Sequence, residues 1–424
     1  MVSPKCSLDG GLVGIPLWRV KAYYFASFSF FATYYRYLTL FFEVDGFSAS
    51  EIGLIISVAR ALTTLVVPFW NALADRTKKA RTIQMVSLLA SLGPFLALQM
   101  PVQHGPAGHG LLARGAAFWA FTVISAPSGS MMDALAREAC GRDADRWGKA
   151  RIYGAVGWGL MHLVLGPLYD RAGFGAMFVA FVVLAAVLVL AMRFGTPEAC
   201  SAACAPVNAL SVLGIVRRNP VFFVNITVLG CGFSMVEGML FILLREMEAS
   251  TLLCGFSVVV TVIFELPIFA YAKPLLRRLG NQNMILLGQA AWVVRALFYW
   301  RMSAAWSVLL IEPLHGITFA LVWTAAIDHV AQPGVCGEGL EASAQGLLSS
   351  CFMGVGPIVG LLLGGVLFDK LGGHVAYSIF AICVCFAGLV YWHYGDREAS
   401  KTNLPTEEVD PDIVGKMPTQ PYDT

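Results

Sequence analysis

The chain has 424 residues, of which 57% are hydrophobic and 13% charged, and its mean hydropathy is +0.69. Soluble domains carry about 25% charged residues, so most of this surface is solvated by lipid rather than water. The net charge of +2 says nothing about partners by itself, and no basic patch interleaved with aromatics supports nucleic-acid binding.

Taken in order, the chain opens with a short tail, residues 1–18, ending before Arg19 and Lys21. A membrane-spanning helix needs about 20 apolar residues, and about twelve such runs follow. The first covers roughly Val20 to Phe42 and the second ends near Asn71, before the basic turn Asp75-Arg76-Thr77-Lys78-Lys79-Ala80-Arg81. Span three reaches Met100, span four Leu135, span five the segment Gly166–Gly173, and span six runs from Ala176 to Met192. Residues 195–219 read as a polar linker rich in small residues. Spans seven to twelve fall near 221–244, 252–272, 283–301, 305–329, 343–368 and 374–394, and the acidic, proline-bearing tail from residue 396 reads as disordered. The expected fold is an all-α membrane protein with two six-helix halves, residues 19–194 and 220–395.

The halves echo one another. Gly166-Pro-Leu-Tyr-Asp170-Arg-Ala-Gly173 ends the fifth span and Gly365-Val-Leu-Phe-Asp369-Lys-Leu-Gly372 the eleventh, while Arg76–Arg81 matches Arg277-Arg278 after the eighth. Repeated halves are a transporter signature with the binding site near the midplane. The Lys and Arg residues gather in the N-tail, the turns after spans two, four and eight, and the linker, which by the positive-inside rule makes both termini cytoplasmic.

Ten cysteines are scattered, several inside apolar runs, with neither disulfide nor zinc spacing. Cys200 and Cys204 have no companion His or Cys pair, so no metal and no cofactor is expected. The N-terminus lacks a separate apolar segment with a small-residue cleavage site, so no cleavable signal is expected.

The spans contain ionisable residues that hydrocarbon penalises by at least roughly 2.5–3.5 kcal/mol each on insertion scales. Glu312 and His315 lie three apart and can share a helix face. Together with Glu237, Glu265 and Arg295 they place charge or imidazole on four consecutive spans of the second half, where a shared wet cavity would solvate them. Arg60 lies deep in span two. Arg36 is expected to snorkel to the interface, and His162, Asp328 and His329 are expected near span ends.

Twelve spans, a central linker and the Asp75-Arg76 turn resemble the major facilitator superfamily, in which this aspartate helps latch the cytoplasmic side; here Asn71 and Lys78 replace the glycines of that turn. Gly148-Lys-Ala-Arg151-Ile-Tyr-Gly-Ala-Val-Gly-Trp158 resembles the lactose-permease branch of proton symporters. The resemblance implies that Arg151 pairs with a carboxylate eighteen residues earlier, Asp133, and that Trp158 stacks on a sugar. Arg295 and His315 also match that branch, whereas Thr318 replaces its proton-carrying glutamate and Glu312 a lysine. Glu265-Leu-Pro267, Glu312-Pro-Leu-His315-Gly-Ile-Thr-Phe and Ala344-Gln-Gly-Leu347 are similar to the eukaryotic group around major facilitator superfamily domain-containing protein 6. The resemblance implies a monomeric carrier in a lipid bilayer, not an enzyme, taking a small-molecule substrate with protons. Asp133, Arg151, Trp158, Arg60 and His315 would bind substrate; Glu237, Glu265, Arg295 and Glu312 would couple protons; Asp75 and Arg76 would gate. An organic-anion, nucleoside or drug carrier, or a non-transporting receptor, stays open.

Overall fold

The computed structural model describes residues 15–101, 109–141, 143–198, 209–336 and 340–402. Every regular element among them is helical. The first half contains α1 (Leu17–Ala32), α2 (Tyr37–Val44), α3 (Ala49–Thr77), α4 (Ala80–Ala97), α5 (His109–Ser130), α6 (Met132–Ala139), α7 (Ala144–Ala172) and α8 (Gly175–Gly195). A short helix, α9 (Ala209–Arg218), occupies the end of the expected linker, and residues 199–208 lie outside the described residues. The second half contains α10 (Pro220–Glu246), α11 (Thr251–Arg301), α12 (Val308–Ile311), α13 (Pro313–Val330), α14 (Pro333–Cys336), α15 (Glu341–Ser349), α16 (Gly356–Leu371) and α17 (Gly373–Thr402). The tail expected to be disordered from residue 396 is helical to Thr402, and residues 403–424 lie outside the described residues.

Nine of these helices are long and apolar enough to cross a membrane, and ten if the pair bent by 44° at Glu312 counts as one span. Two more crossings are hidden by irregular backbone. α11 is interrupted at Gly280 (φ 73°, ψ 169°), which separates spans eight and nine. The first span is broken at residues 33–36 into α1 and α2. These breaks account for the twelve expected segments. The break at residues 33–36 also matters chemically, because irregular backbone inside a membrane occurs where it is buried in protein or lines a cavity.

Each half is tied by one buried glutamine. Gln84 accepts from Tyr23 Oη at 3.0 Å and donates to Ser128 O at 3.0 Å, joining spans one, three and four. Gln289 exchanges hydrogen bonds with Asn225 at 2.9 and 3.0 Å and donates to Val384 O at 2.8 Å, joining spans seven, nine and twelve. The first half also holds an aromatic core in which Phe95 stacks on Phe181 with centroids 3.8 Å apart.

The halves meet along two seams, α3 against α16 and α7 against α11. A Cβ built on Gly166 would lie 2.7 Å from Thr251 O, so only glycine permits that approach, and Gly365 meets Ala49 O in the same way. Farther along the same helices the seams relax: a Cβ on Gly159 would sit 3.7 Å from Val262, and one on Gly354 3.7 Å from Thr64 Oγ1. The halves are pressed together at the end bearing Ala49, Gly173, Thr251 and Gly372, hereafter the latch end, and diverge toward the other.

Candidate functional site

At the latch end each half supplies an aspartate to a helix start of the other. Asp369 Oδ1 accepts from the N–H of Ala49 at 2.9 Å and Oδ2 from that of Ser50 at 2.8 Å. Asp170 accepts from the N–H of Thr251 at 2.8 Å and of Leu252 at 2.9 Å. A helix start leaves its first N–H groups without intrahelical partners. Here the local caps take one N–H each: Ser48 Oγ accepts from Glu51 and Ser250 Oγ from Leu253. The remaining exposed donors go to the opposite half. The repeated Asp170 and Asp369 were visible in the sequence, but their partners were not.

The next polar layer inward is an ion pair between the halves. Arg36, at the break between α1 and α2, donates Nε to Glu237 Oε2 at 3.1 Å and Nη2 to Oε1. Arg36 is 3% exposed, which corrects the expectation that it snorkels to the interface: its guanidinium is paired instead with a carboxylate across the seam. Glu237 lies nine residues before the end of α10, about 14 Å below the latch end at the helical rise, and its side chain keeps 29% exposure. His162, expected near a span end, is also fully buried in the seam; its carbonyl accepts from Tyr37 Oη at 2.9 Å and its ring stacks on that of Tyr37.

The five ionisable residues of the second half do not share one wet cavity, contrary to expectation. Glu312 and Arg295 are both 0% exposed. Glu312 accepts from Arg295 Nη2 at 3.0 and 2.9 Å, from Tyr299 Oη at 2.6 Å and from Thr261 Oγ1 at 2.7 Å. Both carboxylate oxygens are saturated, and the bend at Pro313, which cannot donate a backbone N–H, holds Glu312 toward α11. Arg295 Nη1 meets His315 Nδ1 at 2.6 Å. Arginine only donates, so Nδ1 accepts and the imidazole is neutral with its proton on Nε2. His315 retains 7% exposure beside Phe233 and Phe319.

Glu265 differs from Glu312. It is half-buried, forms no side-chain hydrogen bond or ion pair among the described residues, and lies within electrostatic reach of Glu237, Arg151 and Arg36. A Cβ on Gly316 would fall 2.6 Å from Glu265 N, so the two segments Glu265-Leu-Pro267 and Glu312–Gly316 dock backbone to backbone.

The first-half residues form a looser group. Arg151 Nη1 stands 3.5 Å from Asp133 Oδ2, at the limit of a hydrogen bond, and both side chains are open to solvent or lipid. Asp133 is held instead by Tyr24 Oη at 2.6 Å, which in turn accepts from Trp147 Nε1 at 2.7 Å. Trp158 meets Phe28 and Tyr35 edge to face, with centroids 6.5 and 5.6 Å apart, and His162 at 4.5 Å. Arg60 donates to Tyr35 Oη and sits over that ring, with no carboxylate partner among the described residues. Tyr35, Tyr299 and Thr261 were missed in the sequence; the polar run Tyr34-Tyr35-Arg36-Tyr37 in an apolar span hinted at the first, and nothing local pointed to the other two.

Asp75 is half-buried and Arg76 exposed, and among the described residues neither forms a side-chain hydrogen bond or ion pair with the second half. Lys78, in the place of a glycine, takes the left-handed conformation (φ 56°, ψ 30°) that glycine adopts without strain. Among the described residues no group of His, Cys, Asp or Glu is arranged to hold a metal ion.

The sequence matches the MFS_1 like family over residues 17–379. It is 24% identical to a maltose permease of Geobacillus stearothermophilus over 383 residues, covering 89% of this chain and 94% of that one. It is 27% identical to major facilitator superfamily domain-containing protein 6-like protein A of Xenopus laevis over 186 residues, covering 44% of this chain and 29% of that one. Its fold is similar to the crystal structure of the nucleoside transporter NupG, with a TM-score of 0.73 at 18% identity, covering 89% of this chain and 98% of that one. A two-half helical membrane protein with ionisable groups along its central seam therefore belongs to the MFS_1 like family of major facilitator transporters, and is a carrier rather than an enzyme.

Proposed function

We propose that the protein is a proton-coupled symporter of a small polar solute, a sugar or a related compound, and that it works by alternating access. The observation that carries this reading is the stack along the seam: reciprocal aspartate caps close one end, charged residues of both halves meet below them, and the helices diverge beyond. Rocking the halves about that centre would trade the latch end for the Asp75 end. In this reading the latch end faces away from the cytoplasm and both termini lie inside it, which the Lys and Arg bias supports, and the carrier works as a monomer.

In this reading Glu265 takes the proton, because its carboxylate is partly exposed and unpaired while Glu312 is saturated. Arg151, Asp133, Trp158 and His315 offer the solute hydrogen bonds and flat faces, and the maltose permease relative supports a sugar. Arg295 and Glu312 brace His315, and Asp75 with Arg76 secures the opposite end when it closes. The test is uptake of radiolabelled maltose, raffinose and uridine into proteoliposomes under an inward proton gradient. Wild-type accumulation of one of them should collapse in Glu265→Gln while exchange at equal concentrations persists; accumulation unaffected by the gradient and by this variant refutes proton coupling at Glu265.

A second reading, an organic-anion carrier, is favoured by Arg60, whose guanidinium meets a phenol rather than a carboxylate. Benzoate uptake lost in Arg60→Gln, with sugars never taken up, would select it.

A further inference from the structure

A cavity of about 380 Å³ opens at the end of the second half remote from the latch, between the turn at Gly280, the end of α13 and the end of α17. A volume in this range holds a small ligand. It is not part of the central chamber: His329, which lines it, lies fourteen residues beyond His315 on α13, about 21 Å at the helical rise. None of the residues placed above in transport lines it.

Three consecutive carboxamides line it, and each spends its NH2 group on the protein. Asn281 Nδ2 donates to Asp328 Oδ2 at 3.0 Å, Gln282 Nε2 to the carbonyls of Tyr391 and Trp392 at 3.1 and 3.3 Å, and Asn283 Nδ2 to that of Leu279 at 3.0 Å. Every partner is an oxygen that accepts, so the orientation of all three amides is fixed, and their oxygens receive no hydrogen bond among the described residues. A Cβ on Gly395 would fall 2.9 Å from Gln282 Nε2, so span twelve lies directly against the turn. His329 rests against Phe222, with centroids 4.4 Å apart, and its Nε2 is buried without a hydrogen-bond partner. Native structures keep few such atoms, because each bears its full desolvation cost.

The lining selects its ligand by exclusion. No lysine, arginine, aspartate or glutamate lines the cavity among the described residues, so an ion finds no counter-charge in it; Asp328, outside the lining, is exposed and already engaged by Asn281. Three acceptors on successive residues call for several donors a few ångströms apart. Neighbouring hydroxyls on a carbon ring or chain provide them, and a flat heteroaromatic with one or two N–H groups does not. We infer that this cavity is a second binding site, for an uncharged polyol, whose hydroxyls donate to Asn281 Oδ1, Gln282 Oε1 and Asn283 Oδ1. The polyol is a free sugar or the sugar headgroup of a lipid. Once bound, it ties the turn between spans eight and nine to the ends of spans ten and twelve, whatever solute the central chamber carries.

The test reads hydrogen exchange by mass spectrometry on full-length protein in phosphatidylcholine nanodiscs, titrated with maltose, with myo-inositol and, as an osmolyte without hydroxyl donors, with betaine. Peptides covering residues 279–283 and 391–395 should gain saturable protection with the polyols and none with betaine. Asn283→Leu removes one acceptor at an exposed position and should raise the half-saturating concentration about 2- to 13-fold, the equivalent of one hydrogen bond. Gln332→Trp fills the cavity from its exposed rim and should abolish the protection. Neither variant removes a hydrogen bond between helices, so unshifted exchange elsewhere verifies the fold. Nanodiscs containing galactosyldiacylglycerol and no free polyol separate the sources: protection there alone supports the site with a lipid headgroup as its occupant. No saturable protection by any polyol, protection matched by betaine, or an affinity unchanged in both variants overturns the inference. Protection confined to peptides around Trp158 and His315 also overturns it, while leaving the carrier reading intact.

Discussion

Removing the reciprocal caps should unlock one end of the molecule without unfolding it. Asp369→Ala deletes two hydrogen bonds from a charged acceptor, at 2.9 and 2.8 Å, and the charge they place at the start of α3. Such bonds contribute about 1.5–3 kcal/mol each when buried, and a carboxylate at a helix N-terminus adds about 0.3–1 kcal/mol. One of the two bonds is exposed, and water replaces both when the halves part, so roughly 2–3 kcal/mol per aspartate is the sensible figure. That is about a 30- to 150-fold shift in the closed-to-open ratio. The two caps share no residues, so Asp170→Ala/Asp369→Ala should approach the sum, roughly 4–6 kcal/mol. The assay is hydrogen exchange at the N–H groups of residues 49–50 and 251–252, read by mass spectrometry in nanodiscs. Both segments should exchange faster in the double variant, while Ser48→Ala should speed exchange only at its own helix start. Equal protection in wild type and double variant would show that these aspartates do not hold the halves together.

The other predictions concern the core, the seam and the linker. Glu312→Gln leaves Arg295 without a counter-charge where neither is exposed, so the melting temperature should fall by the equivalent of about 3–5 kcal/mol, and Glu312→Gln/Arg295→Gln should recover part of it; no loss in the single variant refutes the dry-lock reading. Gly365→Val should force the α3–α16 seam apart because its side chain would meet the Ala49 carbonyl, and maleimide labelling of a cysteine at Leu371 should rise; unchanged labelling counts against close backbone contact as the basis of closure. Outside the membrane, the Thr82 hydroxyl and then Arg81 hold the Glu198 carboxyl below its usual range. Its folded pKa is depressed, so this tie is present above the unfolded value of roughly 4.3 and fades as pH falls through the lower folded value. Protease cleavage in the linker after span six should accelerate only in that acid range, and Glu198→Gln should abolish the dependence.

Sequence alone determined the solvent, the number of crossings, the repeat and the chemical types along the seam. Those follow from local quantities: about 20 apolar residues cross a bilayer wherever they occur, and a charge in such a run must be explained whatever surrounds it. It also brought Glu312 and His315 to one face, because that pairing is set by a short helical spacing, whereas Asp133 with Arg151 was legible only through the family resemblance. Tertiary structure decided which charge meets which. Arg36 reaches Glu237 over 201 residues of chain, and Asp369 reaches Ala49 over 320, and no periodicity within a span encodes contacts between halves. The same distance in sequence separates the two fates of Glu312 and Glu265: similar acids in similar apolar runs, one saturated by Arg295, Tyr299 and Thr261, the other left open. Burial and partners, rather than residue type, fix whether such an acid can move a proton.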